Sequence, residues 1–128
     1  LVASSVNLIA AQRLLRRLCV DCKEPIDVPE QSLIDLGAVP EELESYAAQH
    51  GKGCRTCNNT GYKGRVAVYE IMPMTDELAE FVLNGASTLE IKREAIRQGM
   101  LSLRMAALSK LARGMTSMAE VVRATAPD

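Results

Sequence analysis

Gln12-Arg13-Leu14-Leu15-Arg16-Arg17-Leu18 runs straight into Cys19-Val20-Asp21-Cys22, and the shape of the chain turns on how residues 12–18 are read. Residues 1–11 place Leu1, Val2, Val6, Leu8 and Ile9 among small residues, which predicts a packed helix. Propensity alone continues that helix through 12–18, because Leu, Arg and Gln are all good helix formers. A strand needs alternation, and the adjacent Leu14 and Leu15 interrupt it. On residue pattern both readings stand.

The cysteines are more decisive. The chain has four, and they form two C-x-x-C pairs, Cys19/Cys22 and Cys54/Cys57. A C-x-x-C loop sets two thiolates within reach of one tetrahedral ion, and two loops complete a closed four-sulfur shell of the kind structural zinc prefers. Turn-forming residues follow each pair: Lys23-Glu24-Pro25 after the first, Asn58-Asn59-Thr60-Gly61 after the second. The expected ligands are therefore Cys19, Cys22, Cys54 and Cys57, with zinc as cofactor. The plain alternative is two disulfides or four unrelated thiols.

Composition limits the rest. The chain has 128 residues, 48% hydrophobic and 24% charged, which describes a globular protein with one modest core, or a core plus a small metal-stapled lobe. Three Tyr, one Phe and no Trp require that core to be aliphatic. A net charge of −1 argues against an electrostatic grip on nucleic acid. Residues 1–11 are too short to span a bilayer, and Arg13, Arg16 and Arg17 follow that run rather than precede it. The start on Leu1, inside an apolar run, reads as a piece of a longer protein. No Gly-rich phosphate loop, Ser-His-Asp set or H-E-x-x-H occurs, and no catalytic or nucleotide-binding residue is assigned.

Further along, Pro25 and Pro29 mark an extended connector, and Ser32 is read as the cap of a short helix that Gly37 stops. Pro40 with Glu41, Glu42 and Glu44 predicts a helix running to about Gln49. After the second cysteine pair, Val66 to Ile71 alternate as a strand that Pro73 ends. Everything from Thr75 reads as helix. Thr75 caps one, Ser87 with Glu90 forms a capping box for the next, a longer one runs through Leu108 and Leu111 to Gly114, and Thr116 or Ser117 caps the last. The spacing predicts a small helical bundle, with the methionines as core filler.

Taken in order, AQRLLRRLC, the first Cys pair with KEP, then KGCRTCNNTGYKGRVAVYEIMPMTDEL and the closing GMLSLRMAALSKLARGMTSMAEVVR resemble the C-terminal part of the assembly ATPases of type II secretion and type IV pili. The resemblance runs essentially end to end. It implies an α+β chain at the end of a RecA-like ATPase domain, in a protein forming hexameric rings at the cytoplasmic face of the inner membrane. It implies four parts: 1–18 the end of the RecA-like core, helix then strand; 19–63 a tetracysteine zinc insertion; 64–74 a returning strand; 75–128 a helical region. Similar retraction ATPases lack the insertion, so residues 12–18 and 65–71 should be neighbouring antiparallel strands. That comparison predicts strand at 12–18 against propensity.

The implied parent uses ATP and magnesium, but the phosphate loop and acidic boxes of the family have no counterpart here. The chain alone is therefore expected to be inactive, with a structural and coupling role. The implied partners are an inner-membrane platform protein and neighbouring ring subunits, and no nucleic acid. Arg13 and Arg65 could approach nucleotide in the parent, or make local pairs with Glu70 or solvent. Residues 23–53 hold scattered apolar groups, so the lobe is expected to project from the motor without much core of its own. Two rival readings come from other classes. One is a zinc ribbon binding nucleic acid or protein through Lys52, Arg55, Lys63 and Arg65, for which only Tyr62 offers nearby stacking. The other is a redox C-x-x-C protein, which needs one pair at a helix start rather than two.

Overall fold

The computed structural model describes residues 8–126. Its frame is a two-stranded antiparallel ribbon, β1 (Leu8–Leu18) with β4 (Tyr62–Pro73). The register sets Leu15 opposite Val66, Arg13 opposite Val68 and Arg16 opposite Arg65, and shifts between Arg16 and Leu18. Residues 12–18 are thus strand, as the resemblance implied. The adjacent leucines cease to be an anomaly once faces are assigned. Successive strand residues point to opposite sides, so Leu15 is buried with Val68 while Leu14 stays 45% exposed on the other face with Tyr69 and Ile71. The helix expected over residues 1–11 is corrected where it can be seen: residues 8–11 belong to β1, paired with residues 70–73. Cross-strand pairing of this length supplies ladder bonds that outweigh the helical propensity of the Ala-rich run. Residues 1–7 lie outside the described residues.

Between the strands sits the four-cysteine lobe. It holds β2 (Lys23–Pro25) paired antiparallel with β3 (Gln49–Gly51), a short helix α1 (Glu30–Leu36) and a 3-10 turn over Pro40–Ser45. Pro29, not Ser32, occupies the cap position of α1, and Gly37 closes it with φ 116°. The helix expected from Pro40 to Gln49 is shorter and tighter, because β3 claims residues 49–51 for the pairing with β2.

After β4 the helices come in two groups. Helices α2 (Asp76–Leu83) and α3 (Thr88–Arg97) pack on each other around Leu78, Ala95 and Met100, with Met72 and Met74 against them. Thr75 caps α2 through the Leu78 amide, and the Ser87–Glu90 capping box of α3 is complete. Helices α4 (Leu103–Ala112) and α5 (Met118–Ala124) lie against the ribbon and are capped by Ser102 and Ser117.

The main core corrects the expectation that the lobe projects without much core of its own. Leu33 and Ala38 of the lobe are buried in one cluster with Leu15 and Val68 of the ribbon and with Ala107, Leu108, Leu111 and Val121 of α4 and α5. The lobe is therefore docked on the closing helices, not held away from them. Its apolar side chains look scattered along the sequence because they fill a core whose other half lies some seventy residues downstream. Backbone bonds complete the docking: the Ala47 amide donates to Ala112 O at 2.9 Å, and Leu18 to Met115 O at 2.9 Å. The buried Arg104 donates to Leu36 O (3.0 Å) from one end and to Thr125 O (2.9 Å) and Oγ1 (2.7 Å) from the other.

One buried charge fastens β1 to α5. The Glu120 carboxylate is fully buried and accepts from the Arg16 amide (2.6 Å), the Arg16 guanidinium (3.1 Å) and Arg123 Nε (2.8 Å) and Nη2 (2.9 Å). The Arg123 guanidinium leads in holding its pKa down, from the ordinary 4.5 to about 2; burial opposes the shift and Arg16 adds to it. A depressed carboxylate stabilises the fold above its unfolded pKa and loses that contribution as pH falls through the folded value. Glu120 should therefore contribute up to roughly 3 kcal/mol near neutrality, fading between about pH 4.5 and about pH 2. Urea unfolding of the wild type against Glu120→Gln should show the variant destabilised by roughly 2–4 kcal/mol at pH 7, with the gap closing as pH falls through this window. A gap independent of pH would mean that shape, not charge, makes Glu120 necessary.

Candidate metal centre

The first cysteine pair lies where β1 ends and the second where the lobe returns to β4. The Cys19 amide donates to Gly61 O at 3.0 Å, so the two knuckles are tied together beside the ribbon's end. Each knuckle is a tight turn. Cys22 and Lys23 donate back to Cys19 O, and Asn59 donates to Cys54 O. Asn58 (φ 54°) and Asn59 (φ 63°) take the left-handed backbone that Asn tolerates best after Gly. Gly51 passes so close to Gly61 that a Cβ on Gly51 would stand 2.1 Å from Gly61 O. Only a glycine fits this crossing, which brings β3 onto the second knuckle.

These turns gather all four predicted cysteines. Their Sγ atoms lie within 4.8 Å of one another. Cys19–Cys54, Cys22–Cys57 and Cys54–Cys57 are each 3.8 Å apart. A regular tetrahedron with metal–sulfur bonds of about 2.3 Å has edges of about 3.8 Å, so the cluster has the dimensions of one four-sulfur ion site. The same spacing excludes disulfides, whose sulfurs sit about 2.0 Å apart, and all four are free thiols. Cys19 and Cys57 are buried; Cys22 and Cys54 are partly covered.

Backbone donors surround the sulfurs. Gly53 donates to Cys22 Sγ (3.3 Å), while Cys54 (3.3 Å) and Gly61 (3.2 Å) donate to Cys57 Sγ. Burial pushes the Cys57 thiol up, but the Cys54 and Gly61 amides and two neighbouring thiols outweigh it and bring it to about 6. Cys54 is lowered chiefly by the Cys57 amide. Burial, reinforced by the other three thiols against the Gly53 amide, drives Cys22 up to about 12. The bare cluster thus spreads its thiols apart in acidity, as like charges in one small volume must. A cation at the centre removes that conflict and favours four thiolates. The donor set is soft, closed and preorganised, and it can hold a metal ion.

The sequence singles out the four cysteines that the fold gathers but gives no direct sign of the amide donors of Gly53 and Gly61. The glycines at 51, 53 and 61 were the available signal, since they mark where backbone crowds the sulfurs. Arg13 and Arg65 lie away from this centre. Arg13 donates to its neighbour's carbonyl at Gln12 (2.9 Å), and Arg65 stands across the ribbon from Arg16. Glu70, considered as their partner, accepts from the Leu103 amide at 3.1 Å. Arg16 itself lies over the Tyr62 ring, 4.1 Å from its centroid. Among the described residues no helix is long and apolar enough to cross a membrane.

Residues 1–123 match the model of a family described as Type II/IV secretion system protein. Over its full length the chain is 55% identical to a type IV pilus assembly ATPase, PilB, of Myxococcus xanthus, covering 23% of that protein. It is 44% identical over 97% of its length to PilB of Acinetobacter baylyi, covering 22% of that protein. Against the type II secretion system protein E of Aeromonas hydrophila it is 34% identical over its full length, covering 25%. The chain thus spans about a quarter of the length of these relatives. A match that begins before the ribbon and continues through both knuckles into the closing helices leaves one conclusion: the chain belongs to the family of type II/IV secretion system proteins.

Proposed function

We propose that this chain is the zinc-stapled, coupling part of an ATPase that powers type IV pilus assembly. The observation that carries the reading is the four-thiol cluster of tetrahedral dimensions within a chain similar over its whole length to pilus assembly ATPases. Identity of 55% to a pilus protein, against 34% to a secretion protein, favours pilus assembly over type II secretion. In this reading the chain completes a RecA-like motor domain of a hexameric ring at the cytoplasmic face of the inner membrane. ATP and magnesium bind elsewhere in the longer protein, since the chain has no Gly-rich phosphate loop. Its partners are neighbouring subunits and the platform protein of the inner membrane, not nucleic acid.

Zinc fits the thiols better than harder ions do, because Cys sulfur is soft and the four ligands fill a tetrahedron. Bound there, zinc supplies folding energy and no reaction chemistry. Cys19 and Cys22 would be held to Cys54 and Cys57, so that the end of β1 and the start of β4 stay together. The amides of Gly53, Cys54 and Gly61 hold negative charge on the sulfurs.

Elemental analysis of protein purified without added metal should find about one zinc per chain. A folded, metal-free protein with four titratable thiols would remove the basis of the proposal. Strong chelation should expose the amides of the knuckles, residues 19–22 and 54–61, to rapid exchange. The docked α1 should stay protected with α4, because it shares the buried cluster of Leu33 and Leu108. Exchange rising equally throughout the lobe would show that the shared core does not hold it.

The coupling role is tested in the full-length protein by Cys54→Ser together with Cys57→Ser. Purified rings should keep basal ATP hydrolysis while pilus assembly in cells is lost. Loss of hydrolysis in correctly folded rings, with partner binding intact, would place the lobe in the motor's own chemistry.

A further inference from the structure

The docking of the lobe on α4 leaves a groove between them. One wall is the turn from Gly37 through Val39 to Tyr46; the other is α4 with Leu101 before it. The buried Ala38 and Leu108 make its deepest part apolar, and the cavity measures about 460 Å³. Val39 is 47% exposed at one lip and Leu101 63% exposed at the other. Hydrogen bonds tie the two walls together, from Arg104 to Leu36 O and from the Ala47 amide to Ala112 O. The groove is therefore preformed, and an occupant need not pay to open it.

Its charge is one-sided. Glu42 is the charged residue among those lining the groove, and Glu41 and Glu44 stand exposed on the same turn. On the α4 wall the lining residues Met105, Leu108, Ser109 and Ala112 carry no charge. The Tyr46 hydroxyl is raised in pKa by burial and then by the nearby Glu42 carboxylate, which places that negative charge at the groove. An apolar floor with an acidic lip matches a helix whose apolar stripe is flanked by Lys or Arg. From Leu101 to Ala112 the wall runs about 16 Å, the length of about three helical turns, enough for apolar anchors at i, i+4 and i+7.

We infer that the groove between the lobe turn 37–46 and helix α4 is a docking site for a basic amphipathic helix of a partner protein. The inference goes beyond the coupling role proposed above and does not depend on which metal the thiols hold. Binding leaves the metal centre untouched, because none of the four cysteines lines the groove. Electrostatic attraction to the acidic turn sets orientation and on-rate, and burial of apolar anchors sets the lifetime.

The test uses the full-length protein, zinc content measured in every sample. The probe is a fluorescent Leu/Lys amphipathic peptide of about three turns; a Glu/Leu peptide of the same pattern is the control. The Leu/Lys peptide should bind with micromolar affinity, weaken as salt rises, and protect amides in 37–46 and 101–112 from exchange. Glu42→Lys with Glu44→Lys, and separately Ser109→Phe to fill the groove, should each weaken binding at least tenfold without changing zinc content. Lys52→Glu, on the opposite charge cluster, should leave it within twofold. Equal binding of the acidic peptide, protection mapping elsewhere, or uptake of only a small apolar dye that the peptide does not displace would each overturn the inference. Loss of zinc without loss of peptide binding would count against the metal reading alone.

Discussion

Everything in this molecule hangs on the pairing of β1 with β4. The register brings Leu18 opposite Tyr62, and that one juxtaposition turns residues 19–61 into a closed loop. Closing a long loop costs little more than closing a short one, because the entropy rises only with the logarithm of length. What is costly is holding the loop in one shape. Three devices share that work: the thiol cluster at the loop's neck, the short β2–β3 pairing above it, and the apolar contact of α1 with α4 at its far side. Remove the ribbon and none of the three has its partner in reach.

The shared core changes what kind of object the lobe is. A metal-bound knuckle with only polar neighbours can tilt freely about its stem. Here Leu33 and Ala38 are buried among α4 residues, and Arg104 ties the carbonyl end of α1 to Thr125 beyond α5. A buried guanidinium is tolerable only when its donors are satisfied, and Leu36 O, Thr125 O and Thr125 Oγ1 do this. The arrangement fixes three separated parts of the chain at one point. By contrast, α2 and α3 keep their own small cluster around Leu78 and Ala95, so the helical region consists of two packing units.

The four-cysteine cluster was legible because its signal is local: two C-x-x-C pairs with turn residues after each. Three helix starts were legible for the same reason, since Thr75, Ser87 and Ser117 bond amides three residues away, whereas Ser32 does not cap α1 and the Ser102 cap of α4 was not singled out. Strand 12–18 was not legible from its own residues. Leu14 and Leu15 read as a broken alternation until the ribbon shows one leucine on each face. The end of the expected helix at Gln49 failed likewise, because β3 is defined by a partner twenty-four or more residues back. Glu120, the most consequential buried charge, resembles any first-turn acid of a helix. Its role depends on Arg16, more than a hundred residues away, and no local pattern carries that information.

A closed shell of four thiols has no vacancy for substrate or water, so an ion held there acts only through position. Position matters here because of what the knuckles touch. The Leu18 amide donates to Met115 O, and the amide of the next residue, Cys19, donates to Gly61 O. Thr116 donates to Arg16 O at 2.9 Å, and the Tyr62 hydroxyl meets Ser117 Oγ at 2.6 Å. The stretch 115–117 that caps α5 is therefore bonded on both sides to the strand ends that the thiols clasp. Ser117 in turn caps the helix that carries Glu120 into the Arg16 amide. These bonds tie the neck of the lobe to α5 and β1 together, and neither of those two can shift against the other without breaking the buried Glu120–Arg16 contact. The cysteine cluster and Glu120 thus sit at the same joint, one at the neck of the lobe and the other between the ribbon and α5.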